Sequence, residues 1–279
     1  MPKSFSQSAV NFLLKSNGYM ALGASSAAYI AIFLMGLTVE YIVLAAVFFV
    51  FFLSYNFNRL TDFDEDAINA PERRAFVNQY TKPLIAISAV IYAYMLSILI
   101  TLNFSAFLFI LLQTALGSAY SIFRIKKYFL AKNIYIAAVW GMIVLFVGIY
   151  YGNGITPQVT LISAILASSF FINTIIFDIK DMAGDIKCSL KTIPVAIGQK
   201  NTILLGYAVN IVSVLLFSVG MASGFFPGKA VIIYLLFLYV FFYLYKYGKI
   251  NKRVYYGLLV DGEFIFTSGI IFLYGLFYG

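Results

Sequence analysis

Residues 159–185 read VTLISAILASSFFINTIIFDIKDMAGD. No side chain from Val159 to Phe177 is charged, and Asp178, Asp181 and Asp185 follow at once. A helix needs about 20 apolar residues to cross a bilayer, so this stretch predicts a membrane span that ends in an acidic patch. Runs of the same kind recur along the chain at roughly 19–37, 39–57, 83–102, 104–121, 133–152, 159–177, 203–222, 230–247 and 257–277. Turn residues separate several of them, among them Gly152-Asn153-Gly154, Pro157, Gly224 and Pro227-Gly228. The expected fold is all-α, a polytopic membrane protein of nine transmembrane helices in a single domain over residues 1–279. Composition agrees: 62% of the 279 residues are hydrophobic, 11% are charged and the mean hydropathy is +0.93. A soluble domain carries about 25% charged residues.

Charge orients the spans. The N-terminus carries Lys3 and Lys15, and four longer connections carry Arg59 to Lys82, Arg124 to Lys132, Lys180 to Lys200 and Lys246 to Arg253. Of the 19 basic residues, Lys229 alone falls on the other side. The positive-inside rule predicts a cell-membrane protein with a cytoplasmic N-terminus and an outside C-terminus. The net charge of +8 is then a topology signal, and no nucleic-acid partner is expected. The first residues lack the pattern of a cleaved signal peptide. Phe5, Ala9, Phe12 and Leu13 share one helical face, which predicts a short N-terminal interfacial helix. The single Cys188 excludes an internal disulfide, and the absence of His removes the usual general base and zinc ligand.

The acids are concentrated. Eight of eleven lie in two patches, Asp62 to Glu72 after the second span and Asp178 to Asp185 after the sixth. Asn58, Asp62 and Asp66 recur at i, i+4, i+8, and Asp178, Asp181 and Asp185 at i, i+3, i+7, so each set projects from one helix face. Like charges at this spacing destabilise a helix by roughly a few tenths of a kcal/mol per pair, and the repetition suggests a cation that offsets it. Carboxylates without His or Cys favour hard cations, and Mg2+ in particular takes one or two carboxylates and completes its shell with water and phosphate oxygens. An offset of 119 residues carries Asp62 onto Asp181, Asp66 onto Asp185 and Arg59 onto Asp178. The expected architecture is therefore two related four-helix halves plus one helix.

With these motifs in place, the chain resembles the UbiA superfamily of intramembrane prenyltransferases. That family carries Asn-Asp-x-x-Asp-x-x-x-Asp after its second helix and Asp-x-x-Asp-x-x-x-Asp after its sixth. Here NRLTDFDED matches at Asn58, Asp62 and Asp66, and DIKDMAGD at Asp178, Asp181 and Asp185. DAINAPER continues the first motif through Asn69, Pro71 and Arg73, and KTIPVAIG follows the second through Lys191 and Gly198. YSIFRIK between them places Tyr120, Arg124 and Lys126. Arg59 stands where the family has Asp or Gln, and the family's R-P-x-P-S-G is absent.

The resemblance implies Mg2+-dependent transfer of a prenyl group from an isoprenyl diphosphate, geranylgeranyl-type by expectation, to a lipid or aromatic acceptor in the membrane. It implies metal ligands at Asp62, Asp66, Asp181 and Asp185. Asp178 is a third ligand or a base toward the acceptor. Asn58, Arg59, Arg73, Tyr120, Arg124, Lys126 and Lys191 become diphosphate contacts. Tyr55, Phe57, Tyr120, Phe171 and Phe177 are candidates to shield an allylic cation. Asp261 and Glu263 either contribute to acceptor activation or sit at the interface beside Lys252 or Arg253. A cation-coupled transporter, another membrane transferase and a UbiA-like protein of altered activity are the alternatives.

Overall fold

The computed structural model describes residues 11–61, 76–125, 128–187 and 190–278, and among them there is no strand. α1 is Gly18–Leu34 and α2 is Tyr41–Thr61. A wide π turn, Val77–Thr81, leads into α3, Lys82–Leu102. α4 is Phe104–Ile122, α5 Ala131–Tyr150, α6 Pro157–Lys187 and α7 Ile193–Ala222. A 3-10 turn, Gly228–Ile233, opens α8, Tyr234–Lys246. The last span is broken. Lys252–Val254 and a π stretch, Tyr255–Val260, precede α9, Glu263–Tyr278, and the chain bends by 51° at the break.

Seven of the described helices are long and apolar enough to cross a membrane, and eight if the bent pair is one span. α1, with 17 residues, is shorter. The chain is thus an all-α, multi-pass membrane protein. Of the N-terminal helix, residues 11–15 are helical and Phe12 packs edge-on against Phe76 at 5.7 Å between ring centres, whereas Phe5 and Ala9 lie outside the described residues.

Contacts divide the chain into two compact units, Met1–Ser25 with Tyr41–Arg124 and Ser26–Glu40 with Ile125–Gly279. In the first, α2 packs on α3 and α4. Asn56 ties α2 to the start of α1, because its amide donates to Ser16 O at 3.0 Å and its Oδ1 accepts from Asn17 at 3.3 Å. In the second, α6 runs between α5 and α7, and α8 packs on α7 and α9. Exposed apolar side chains such as Val90 and Tyr94 on α3 face lipid, so they carry no penalty of contact with water.

Two elements differ from their sequence expectation in ways that shape the site. α6 has 31 residues and is about 46 Å long, well beyond the roughly 30 Å hydrocarbon core. No proline follows Pro157 within it, so the aspartates ride on the same rigid helix as the span. α7 begins ten residues before its expected start of 203, with Pro194 tolerated in its first turn. It bends at Gly198, whose φ of 79° and ψ of 159° lie in a region almost confined to glycine.

Candidate functional site

The three aspartates of α6 share a helix but not an environment. Asp178 is 1% exposed. Its Oδ1 pairs with the Lys132 ammonium, at the first turn of α5, and its Oδ2 accepts from the Asn133 amide at 2.9 Å. The same amide donates to Thr174 Oγ1 at 3.1 Å, and the Thr174 hydroxyl donates to Phe171 O at 2.8 Å. A lone carboxylate at this depth would be strongly unfavourable, and the ammonium neutralises it. Asp181 and Asp185 are half-buried. Asp185 Oδ2 accepts from Thr192 Oγ1 at 3.2 Å, and its backbone carbonyl accepts from Leu190 N at 2.9 Å, which ties Leu190 and Thr192 to the end of α6. The Asp181 carboxylate has no hydrogen-bond partner among the described residues. Lys180 points to another face, its ammonium 5.3 Å from the Phe177 ring centre and 5.8 Å from that of Tyr256. Lys191 is exposed.

In the first unit, Asn58 lies on α2, and its Oδ1 accepts from Ser121 Oγ of α4 at 2.8 Å. That bond brings the C-terminal ends of α2 and α4 together, with Arg59 and Tyr120 half-buried and Arg124 exposed at a φ of 48°. Asp62, Asp66, Arg73 and Lys126 lie outside the described residues. Among the aromatic candidates, Phe171 and Phe177 pack against the core cluster of α6, α8 and the π stretch. Tyr55, Phe57 and Tyr120 are half-buried.

Comparison with known proteins places this geometry. The sequence profile of the UbiA prenyltransferase family matches residues 17–256, a span that contains both aspartate motifs. The chain belongs to the UbiA prenyltransferase family. A digeranylgeranylglyceryl phosphate synthase of Thermococcus gammatolerans is 27% identical over 194 residues, 65% of this chain and 67% of that one. A solved UbiA homologue from Aeropyrum pernix superimposes with a TM-score of 0.69 at 19% identity, covering 91% of this chain and 98% of that one. A UbiA homologue from Archaeoglobus fulgidus, solved with GPP and Mg2+ bound, gives 0.68 at 17% identity over 95% and 98%. These likenesses show a shared UbiA fold.

The donor set of α6 fits a hard cation. Asp181 and Asp185 stand one turn apart and offer oxygen ligands, which is the number of carboxylates Mg2+ ordinarily takes from protein. No group of three acidic or other ligand side chains forms among the described residues, and Asp178 is paired with Lys132. Sequence reasoning counted Lys132 as a topology charge and passed over Asn133. A Lys-Asn pair at the mouth of an apolar helix is the one signal that marks them, and their partner lies 46 and 45 residues away.

The break before α9 is the second feature missed. Asn173 of α6 donates to Val260 O at 3.0 Å, and the Tyr239 hydroxyl of α8 donates to Leu259 O at 2.8 Å. Both carbonyls adjoin the break, and backbone polar groups inside a membrane bundle need such partners. Glu263 is 1% exposed and accepts from the Tyr243 hydroxyl at 3.2 Å. The interface position beside Lys252 or Arg253 is thereby corrected for Glu263, which is buried by the bend that carries it against α8.

Proposed function

We propose that this UbiA-family chain transfers a prenyl group from an allylic isoprenyl diphosphate to an acceptor held in the membrane. The observation that carries the reading is the family match over residues 17–256, which spans both aspartate motifs in one frame. Nine crossings are reached when α1 and the bent final segment each count as one, in two related halves plus one helix, and residues 1–279 act as one domain. The motifs face the cytoplasm. Asp62, Asp66, Asp181 and Asp185 hold the metal. When bound, Mg2+ supplies positive charge to the departing diphosphate. Asn58, Arg59, Arg73, Tyr120, Arg124, Lys126 and Lys191 orient the diphosphate and spread its charge. Asp178 is a positioning residue: it holds the Lys132 ammonium at the start of α5, beside the aspartate face. Aromatic faces at the helix ends, such as Tyr55 and Phe57, exclude water from the allylic carbon.

The acceptor is a lipid glycerol phosphate and the donor a geranylgeranyl diphosphate. Support comes from the Thermococcus gammatolerans relative, a digeranylgeranylglyceryl phosphate synthase at 27% identity, and from the D-x-x-N-x-P-x-R pattern through Asp66, Asn69, Pro71 and Arg73. The test is diphosphate release from a matrix of allylic diphosphates against glycerol-phosphate lipids and aromatic acids. Turnover with aromatic acids alone would reassign the acceptor. Asp181→Ala and Asp62→Ala should each abolish Mg2+-dependent release and weaken Mn2+ binding, read by electron paramagnetic resonance, while the far-ultraviolet spectrum stays helical. Unchanged turnover in either variant would sink the site.

A further inference from the structure

At the end of the second unit remote from the aspartates lies a cavity of about 230 Å3. Gln158, at the start of α6, marks that end. Its amide donates to Leu34 O of α1 at 3.4 Å and to Phe225 O before α8 at 2.5 Å. Asp178 lies 20 residues further along α6, about 30 Å away and so a full hydrocarbon thickness. Phe33, Leu37 and Ile271 give the cavity apolar walls, and Gly36 and Gly275 give it depth. A side chain built at either glycine meets no other atom within 4 Å.

One charge enters this cavity. Lys229 sits on the 3-10 turn Gly228–Ile233, which Ala230 and Ile233 anchor by complete burial. Its ammonium lies 5.5 Å from the Phe33 ring centre, over the ring face. Lys229 is exposed, as a lysine at a membrane boundary ordinarily is, and it also lines the wall of the cavity. No carboxylate lies within ion-pair distance of it among the described residues. It is also the one basic residue that sequence topology assigns to this face. The volume falls short of the roughly 300–1,000 Å3 of a substrate cleft. It suits the polar end of a molecule whose chains remain in lipid.

We propose that this cavity is a structural site for an anionic phospholipid of the leaflet opposite the aspartate motifs, its phosphate paired with Lys229 and its glycerol end seated against Phe33 and Ile271. Charge complementarity selects the lipid, and the open space at Gly36 and Gly275 admits it. The site is independent of prenyl transfer.

The test uses the full chain in phosphatidylcholine vesicles carrying a photoactivatable phosphatidylglycerol or a photoactivatable phosphatidylcholine, with labelled peptides mapped by mass spectrometry. Phosphatidylglycerol should label residues 228–233 and 271–275 about fivefold more than phosphatidylcholine, the selectivity expected of one lysine near the bilayer surface. Lys229→Gln should remove that preference, and Gly275→Phe, which fills open space, should reduce labelling by both lipids. The exposed Lys229 makes no fold-supporting hydrogen bond, so its variant serves even if Gly275→Phe fails to assemble. Equal labelling by the two lipids, a preference that survives Lys229→Gln, or displacement of the label by inorganic phosphate would each overturn the proposal.

Discussion

Replacing Lys132 with Met tests whether the ammonium or the surrounding packing makes Asp178 tolerable at its depth. The substitution keeps the aliphatic stem and removes the charge. Asp178, 1% exposed, then retains the Asn133 amide as its hydrogen-bond donor. Removing one member of a buried pair costs about 3–5 kcal/mol. Because 23% of the Lys132 side chain reaches solvent, we expect the lower end, about 3 kcal/mol. That is roughly a 150-fold fall in the folded-to-unfolded ratio. Asp178→Asn should be milder, about 1–2 kcal/mol, because the stranded ammonium can turn to water while Asn133 still finds a carbonyl to donate to. The double variant carries neither charge and should lose no more than Asp178→Asn alone, a coupling of about 3 kcal/mol. The assay is reversible unfolding in mixed micelles, with helix content followed across a denaturing-detergent titration. Equal losses in the two single variants, additive within about 0.5 kcal/mol in the double, would refute the neutralisation argument.

Three further substitutions probe the bends that shape the second unit. Gly198→Ala places a side chain at a φ of 79° and ψ of 159°, so it should destabilise by about 1–3 kcal/mol. A loss below that range in the same titration would show that the kink relaxes. Glu263→Gln keeps the size and an oxygen for the Tyr243 hydroxyl and should stay within about 1 kcal/mol of the parent. Glu263→Ala empties a buried position and should lose about 2–4 kcal/mol, and equal losses in the two would argue against a hydrogen-bonded role for the carboxyl group.

Much of the fold was legible along the chain because lipid leaves a backbone few choices. A segment that crosses hydrocarbon must satisfy its own amides, so an apolar run such as 159–177 announces a helix from composition alone. The helical period then assigns Asp178, Asp181 and Asp185 to one side of α6, and the matching motif around Asn58 points to the family. Sequence also marked where breakers act, as at Pro157 and Pro227-Gly228. It expected one continuous span over 257–277, since Asp261-Gly262-Glu263 is a weak interruption when read locally.

Tertiary structure decided how those shared features divide. Three aspartates at equivalent spacing became one neutralised anchor and two available carboxylates, because α5 delivers Lys132 and Asn133 to one of them. The break before α9 stands because Asn173 and Tyr239, from two other helices, reach carbonyls beside it. Lys229, in sequence the lone basic residue on its side, acquired a ring beneath it and a cavity beside it. Helical periodicity specifies which way a side chain leaves its own helix. Which partner waits there depends on helix neighbours far away in sequence, and that pairing exists only once the bundle has packed.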